Sequence, residues 1–259
     1  MNFAHLHVHT EYSLLDGSNK IKEYVARVKK LGMDSAAITD HGVMYGVIDF
    51  YRAAKKHGIK PIIGCEVYVA PRTRFDKVHE LDGEQHHLVL LCKDNKGYEN
   101  LTALVSQAWT EGFYSKPRVD LDLLAKHSEG LIASSACLAG AIPRACRRGD
   151  YEEAKRLALV HNEIFGQGNF YIELQDHGIE AQREINPMLI RISEETGIPL
   201  IATNDSHYIK KEDSQMHYIL MCIQTNHTVE DDDRMEFASD EFYVKTEEEM
   251  RALFPEHPE

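Results

Sequence analysis

The stretch Phe3-Ala4-His5-Leu6-His7-Val8-His9-Thr10 alternates imidazole with aliphatic side chains. Read as a strand, it sets His5, His7 and His9 on one face and Leu6 and Val8 on the other, because successive side chains of an extended chain point to opposite sides. A packed core would favour Val or Ile there, and a solvated face Lys, Glu or Thr. Neutral imidazole is the commonest metal ligand, so three on one face point to a metal site. The plainer alternative, each ring satisfied singly by hydrogen bonds, weakens as further groups of the same kind accumulate.

Those groups are Asp40 and His41, Glu66, Cys137, and Asp205 with His207, each at or just past the carboxyl end of an apolar run. His87 stands at the start of such a run and fits this scheme less well. Imidazole, carboxylate and thiolate together suit Zn²⁺, Mn²⁺ or Fe²⁺ and are too rich in nitrogen for Ca²⁺. A single catalytic zinc needs about three protein ligands, so eight or nine candidates imply two or three ions, with a carboxylate bridging two of them. Clustered divalent ions are a recurring device for hydrolysing phosphate esters.

The elements that must position these groups alternate between strand and helix. Ser18 can cap a helix with apolar positions at 21, 24, 25, 28 and 31 that ends at Gly32. A strand at residues 35 to 42 follows, then a helix at 46 to 57, a strand at 61 to 69 and a strand at 86 to 91. Helices are predicted at 96 to 110 and 120 to 127, a strand at 131 to 137 and a helix at 151 to 165. A strand at 170 to 174, a helix at 181 to 196 and a strand at 199 to 205 complete the series. Seven βα units with near-continuous apolar strands indicate a parallel sheet covered by helices. An open sheet would scatter the polar strand ends along an edge, whereas a barrel gathers them at one mouth. The expectation is therefore an α/β chain folded as a (β/α)7 TIM-like barrel, with the metal site at the carboxyl-terminal mouth of the strands.

Composition is ordinary for a globular chain of 259 residues, at 43% hydrophobic and 27% charged. No run approaches the roughly 18 apolar residues of a membrane span, and no secretory signal leads the chain, so cytoplasm and no membrane partner are expected. Five scattered cysteines, three of them in apolar runs, argue for reduced thiols. The net charge of −13 speaks against a domain that grips DNA unaided.

Taken in order, HLHVHT, SLLDG (13 to 17), ITDHG (38 to 42), GCEVYV (64 to 69), HHLVLL, SSACLAG (134 to 140) and TNDSHY (203 to 208) resemble the PHP (polymerase and histidinol phosphatase) domain family. More narrowly, Gly58 to Tyr68 and the segment around Asp205-Ser206-His207-Tyr208 are similar to the amino-terminal PHP domains of bacterial replicative DNA polymerase III alpha subunits. The resemblance implies a single PHP domain over residues 1 to 259, with a barrel at about 3 to 215 and an extension at about 216 to 259. It implies three divalent ions (Zn²⁺, Mn²⁺ or Fe²⁺): the first on His7, His9, Glu66 and Asp205, on which catalysis would rest; the second on Glu66, His87 and Cys137; the third on Asp16, His41 and His207. The implied activity is metal-dependent 3′→5′ exonuclease proofreading of a DNA primer 3′ end, with the remaining polymerase domains and the replisome as partners. A small-molecule phosphatase or pyrophosphatase, and a metal-stabilised structural module, are the alternatives. The polymerase's catalytic carboxylates are not expected within this length, so no DNA synthesis is expected of this chain, whether excised or standing alone.

Several other residues carry expectations of their own. His5 is expected as a buried support, His86 as structural, Cys65 as a small hydrophobe, and Asp40 as a partner that orients an imidazole. His57, His79, His127, His161, His177, His217, His227 and His257 are expected at the surface, and Glu230 to Asp233 in a solvated loop. Tyr12, Ser13, Lys116 and Arg118 are candidates to touch a phosphate. Residues 240 to 254 read as a short strand and a helix capped at Thr246.

Overall fold

The computed structural model describes residues 3 to 231 and 239 to 256. Its strands are β1 (Ser35–Ile38), β2 (Lys60–Val69), β3 (His86–Cys92), β4 (Arg118–Val119), β5 (Leu131–Ser134), β6 (Phe170–Leu174) and β7 (Leu200–Ala202). They form one curled sheet in the order β1-β2-β3-β5-β6-β7, with β4 beside β2. The opening segment joins its two ends. Ala37 N donates to His5 O and Thr39 N to Val8 O on the β1 side. On the β7 side, His9 N donates to Ser206 O and Ser206 N to His7 O.

Two departures from the sequence reading concern this ring. The opening segment is not a regular strand: it makes single bridges at Val8 and Thr10 and bends at His7. Leu6 consequently packs inside the barrel with Ala37, Val89 and Leu91, whereas Val8 packs outward with Ile21 and Tyr24. The second departure is β3, which runs antiparallel to both β2 and β5. Only one short helix lies between β2 and β3, and an antiparallel neighbour needs no long crossover. Reversal brings the first residues of β3 to the mouth formed by the last residues of the other strands, which is why His87 is at the start of its run.

The helices are α1 (Ile21–Lys30), α2 (Val47–His57), α3 (His79–Asp82), α4 (Asn95–Thr110), α5 (Leu121–Lys126), α6 (Ala141–Arg147), α7 (Tyr151–Phe165), α8 (Glu180–Thr196), α9 (Ser214–Thr225) and α10 (Glu247–Leu253). Asp94, Asp120 and Asp150 accept backbone N–H bonds at the starts of α4, α5 and α7. Thr246 and Glu249 make the reciprocal cap of α10. Ser18 does not cap α1, which begins beyond Lys20; its hydroxyl donates to His207 O instead. The expected strand near residue 243 is a single bridge to Tyr208. Among the described residues, no helix is long and apolar enough to cross a membrane.

Candidate metal centre

Side chains at the mouth come from the opening segment, the loop after it, and the ends of β1, β2, β3, β5 and β7. His7 and His9 are fully buried, and Glu66, on β2, lies between them and two further imidazoles. Its Oε1 is 3.2 Å from His7 Nε2 and 3.0 Å from His87 Nδ1, and its Oε2 is 2.5 Å from His41 Nδ1. Asp205 Oδ1 stands 3.2 Å from His7 Nε2 and 3.0 Å from His9 Nε2. On the outer side, Asp16 Oδ2 is 2.7 Å from His41 Nε2, and its Oδ1 is 3.7 Å from His207 Nε2. Cys137 Sγ is 3.7 Å from His87 Nδ1. All nine residues singled out from the sequence thus form one connected cluster.

Three subsets bring ligand atoms within 4.8 Å of one another: His7, His9 and Glu66; His41, Glu66 and His87; and His9, His41 and His207. His41 takes part in two of these subsets, its Nδ1 facing Glu66 and its Nε2 facing Asp16. The rings of His9 and His41 stack at 3.9 Å.

A metal fits this donor set on two grounds. The buried atoms His7 Nε2, His9 Nε2, His41 Nδ1, Asp16 Oδ1, Asp205 Oδ1 and both oxygens of Glu66 approach one another but make no hydrogen bond. Buried polar atoms are ordinarily satisfied, and a converging set without hydrogen-bond partners is the arrangement a bound cation would satisfy. Charge supplies the second ground. Burial opposes ionisation of Glu66, yet the imidazoles of His87 and His41 hold its carboxyl well below the usual range. Asp205 behaves alike between His7 and His207. Burial would lower His41, but the carboxylates of Glu66 and Asp16 push it up to about 10. Burial, with the charges of His41 and His207, lowers His9 to about 3. Burial and the nearby Asp205 and Glu66 push the Cys137 thiol up, so this sulfur becomes a ligand only where a cation takes the place of its proton.

The backbone is bent to make this cluster. Among the described residues, five non-glycine residues have positive φ, and three of them are Asp205 itself, Leu15 before Asp16, and Ala136 before Cys137. Such conformations persist where surroundings over-determine them, commonly at functional sites. Gly17 is required for a different reason: a Cβ there would lie 2.3 Å from Thr10 O, against which the loop carrying Asp16 folds.

Behind the cluster is a carboxylate the sequence reading missed. Glu173, buried on β6, accepts from His7 Nδ1 at 2.7 Å, which leaves His7 Nε2 free to ligate. Ser134, Thr203 and Gln175 donate to the same carboxylate. A lone Glu in the apolar run Phe170-Tyr171-Ile172-Glu173-Leu174 was the available signal. Asp40 does support the mouth, but through Ser13: it accepts from Ser13 Oγ, which lies 3.3 Å from His9 Nδ1.

Other assignments sort by burial. His5 is buried and bonded to Lys245 O, and the Cys65 thiol donates to Asp40 O. Three histidines expected at the surface are buried: His161, His177 and His217. Each found a partner in the fold, Leu157 O, Asn204 O and Asp16 O respectively. Arg118 is enclosed by four backbone carbonyls and cannot reach a phosphate. Lys116 and Arg144, by contrast, line the cavity of about 560 Å³ over the mouth. His257, Asp232 and Asp233 lie outside the described residues.

The sequence pattern of the PHP domain matches residues 5–177. Over 260 aligned residues the chain is 47% identical to DNA polymerase III subunit alpha of Treponema pallidum, covering 100% of this chain and 22% of that protein. The subunit alpha of Thermus aquaticus is 45% identical over 99% of this chain and 21% of its own length. The chain thus spans about a fifth of these relatives. Among solved structures, an amidohydrolase from Chromobacterium violaceum with bound sulfate has the same fold, with TM-score 0.52 and 16% identity over 79% of this chain and 87% of that one. A candidate metal-dependent phosphoesterase from Bifidobacterium adolescentis matches with TM-score 0.52 and 15% identity over the same shares. A family pattern over two thirds of the chain, joined to similarity along the whole of this chain to about a fifth of the polymerase subunits, shows that this chain belongs to the PHP domain family.

Proposed function

We propose that this chain is the metal-dependent 3′→5′ exonuclease domain of a DNA polymerase III alpha subunit, hydrolysing the last phosphodiester of a primer strand. Residues 1 to 259 act as one unit, in the cytoplasm, beside the remaining domains of the polymerase, which carry most of the DNA and offset the acid excess of this chain. The observation that supports this most is Glu66, whose two oxygens face imidazoles from the opening segment, β1 and β3. A carboxylate so placed can bridge two cations.

Three ions would be held by His7, His9, Glu66 and Asp205; by Glu66, His87 and Cys137; and by Asp16, His41 and His207. Bound there, divalent ions would supply an activated water and charge stabilisation on the phosphoryl oxygens. The protein's own groups do the positioning. Glu173 fixes the tautomer of His7, and the bond between His207 Nδ1 and Asp205 O aims the other nitrogen toward Asp16. Lys116 and Arg144 present positive charge at the rim, where the phosphate enters.

A labelled primer with a mismatched 3′ end, incubated with the chain in Mn²⁺ or Zn²⁺, tests the proposal. Stepwise shortening that is absent from His9→Ala supports it. An intact primer in every metal, with hydrolysis of small phosphomonoesters instead, would turn the reading to a phosphatase at the same ions.

A further inference from the structure

A second cavity, of about 360 Å³, opens beside the mouth and shares Asp16, His41, Tyr68 and Lys116 with it. Its far wall is aromatic. Tyr45, Trp109 and Phe113 leave 61%, 42% and 45% of their surface open, and none of the three belongs to a hydrophobic cluster among the described residues. Trp109 and Phe113 are nonetheless held in place. Trp109 Nε1 donates to Gly42 O at 2.9 Å, one residue from His41, and the Trp109 and Phe113 rings stack at 5.4 Å and 19°. Between this wall and the mouth, Lys116 Nζ lies 5.4 Å from the centre of the Tyr68 ring.

We infer that this groove stacks a nucleobase of a single-stranded DNA end while the adjoining phosphate passes Lys116 into the mouth. The inference rests on the hydrolytic reading of that mouth and names the form of its substrate. An unstacked base offers a flat π-face to an aromatic wall whatever its sequence, which is the recurring device for binding single strands. Stacking also suits a chain of net charge −13, because it needs no basic surface. The cavity has room for a nucleotide-sized group. Continuity with the phosphodiester site favours a nucleic acid over an apolar peptide, since Lys116, shared by groove and mouth, is where a phosphate would lie.

Trp109 is the sole tryptophan of the chain, so its emission reports on the groove directly. The test titrates the chain, with Zn²⁺, against a thymidine octamer whose phosphorothioate linkages resist hydrolysis, and against an abasic octamer with the same linkages. The expected result is quenching by the thymidine octamer and roughly tenfold weaker binding of the abasic strand, as one stacked base is worth ~1–3 kcal/mol. Phe113→Ser and Tyr45→Ser should each weaken the thymidine octamer several-fold, whereas Phe75→Ser, on an exposed ring outside the cavity, should not. Equal affinity for both octamers, or unquenched emission at saturation, would overturn the inference. The hydrolytic reading fails separately: quenching without primer shortening removes the exonuclease and leaves the groove, and shortening that ignores missing bases does the reverse.

Discussion

The two ends of the barrel interior are built from the same strands and have opposite characters. At the floor, Ile62 of β2, Val89 and Leu91 of β3, and Ile132 of β5 meet Leu6 and Ala37 in an apolar cluster. At the mouth, β2 supplies Glu66, β3 supplies His87, and Cys137 follows β5. The floor has only satisfied apolar contacts. The mouth has buried polar atoms without hydrogen-bond partners and three positive-φ residues at or beside its candidate ligands. Between two and five residues along the chain separate the regions, so stability and chemistry are divided by depth. A fold accepts local violations of this sort where function requires them.

The division can be broken from either side. The largest effect is expected at the mouth: Glu66→Gln should reduce primer hydrolysis to background, a loss of about 10³-fold or more, with bound metal falling in elemental analysis. At the floor, Leu91→Ala should cost about 2–5 kcal/mol in urea unfolding while the folded protein keeps its metal content. If either substitution produced the other's signature, the two ends would not be separable. A finer contrast comes from Glu173→Gln, one layer behind the ligands. It should lower metal affinity about 10–100-fold in competition with a chelator, with the fold retained.

The smallest expected effect concerns a histidine in the wall. His161 on α7 stacks on Phe170, and burial holds its imidazole below the ordinary 6.5, although Leu157 O partly offsets this. The unfolded chain therefore takes up its proton first as pH falls below 6.5, and stability declines with it. His161→Phe should remove that share, giving a shallower loss of melting temperature below pH 6.5 than the parent chain, with no change above it.

Much of this division was legible in the sequence, because ligand chemistry restricts residue type so severely. His7, His9, His41, Glu66, His87, Cys137, Asp205 and Asp16 each stand out against apolar runs or in motifs, and the βα alternation follows from hydrophobic periodicity. What could not be read was strand direction. An apolar run looks the same forwards and backwards, and the odd placement of His87 was the one clue that β3 is reversed. The bend at His7 was hidden for a similar reason, since alternation suggested a regular strand while tertiary bonds on both sides set the actual path. His177 and His217 are held by carbonyls 27 and 201 residues away, His161 bonds within its own helix but is buried against Phe170, and Arg118 is enclosed by four carbonyls from separate parts of the chain. Glu173 sits inside an apolar run that reads as an ordinary strand, and only the fold shows that its carboxylate meets His7.

The central claim is that the mouth gathers several divalent ions around Glu66. Crystals of the chain grown with Mn²⁺ or Zn²⁺, measured at the absorption edge of that metal, test it most directly. Three anomalous peaks, with neighbours about 3.5–4 Å apart and two of them flanking Glu66, are the result this account predicts. A single peak away from Glu66, or none in crystals whose mouth side chains keep the arrangement described, would contradict it.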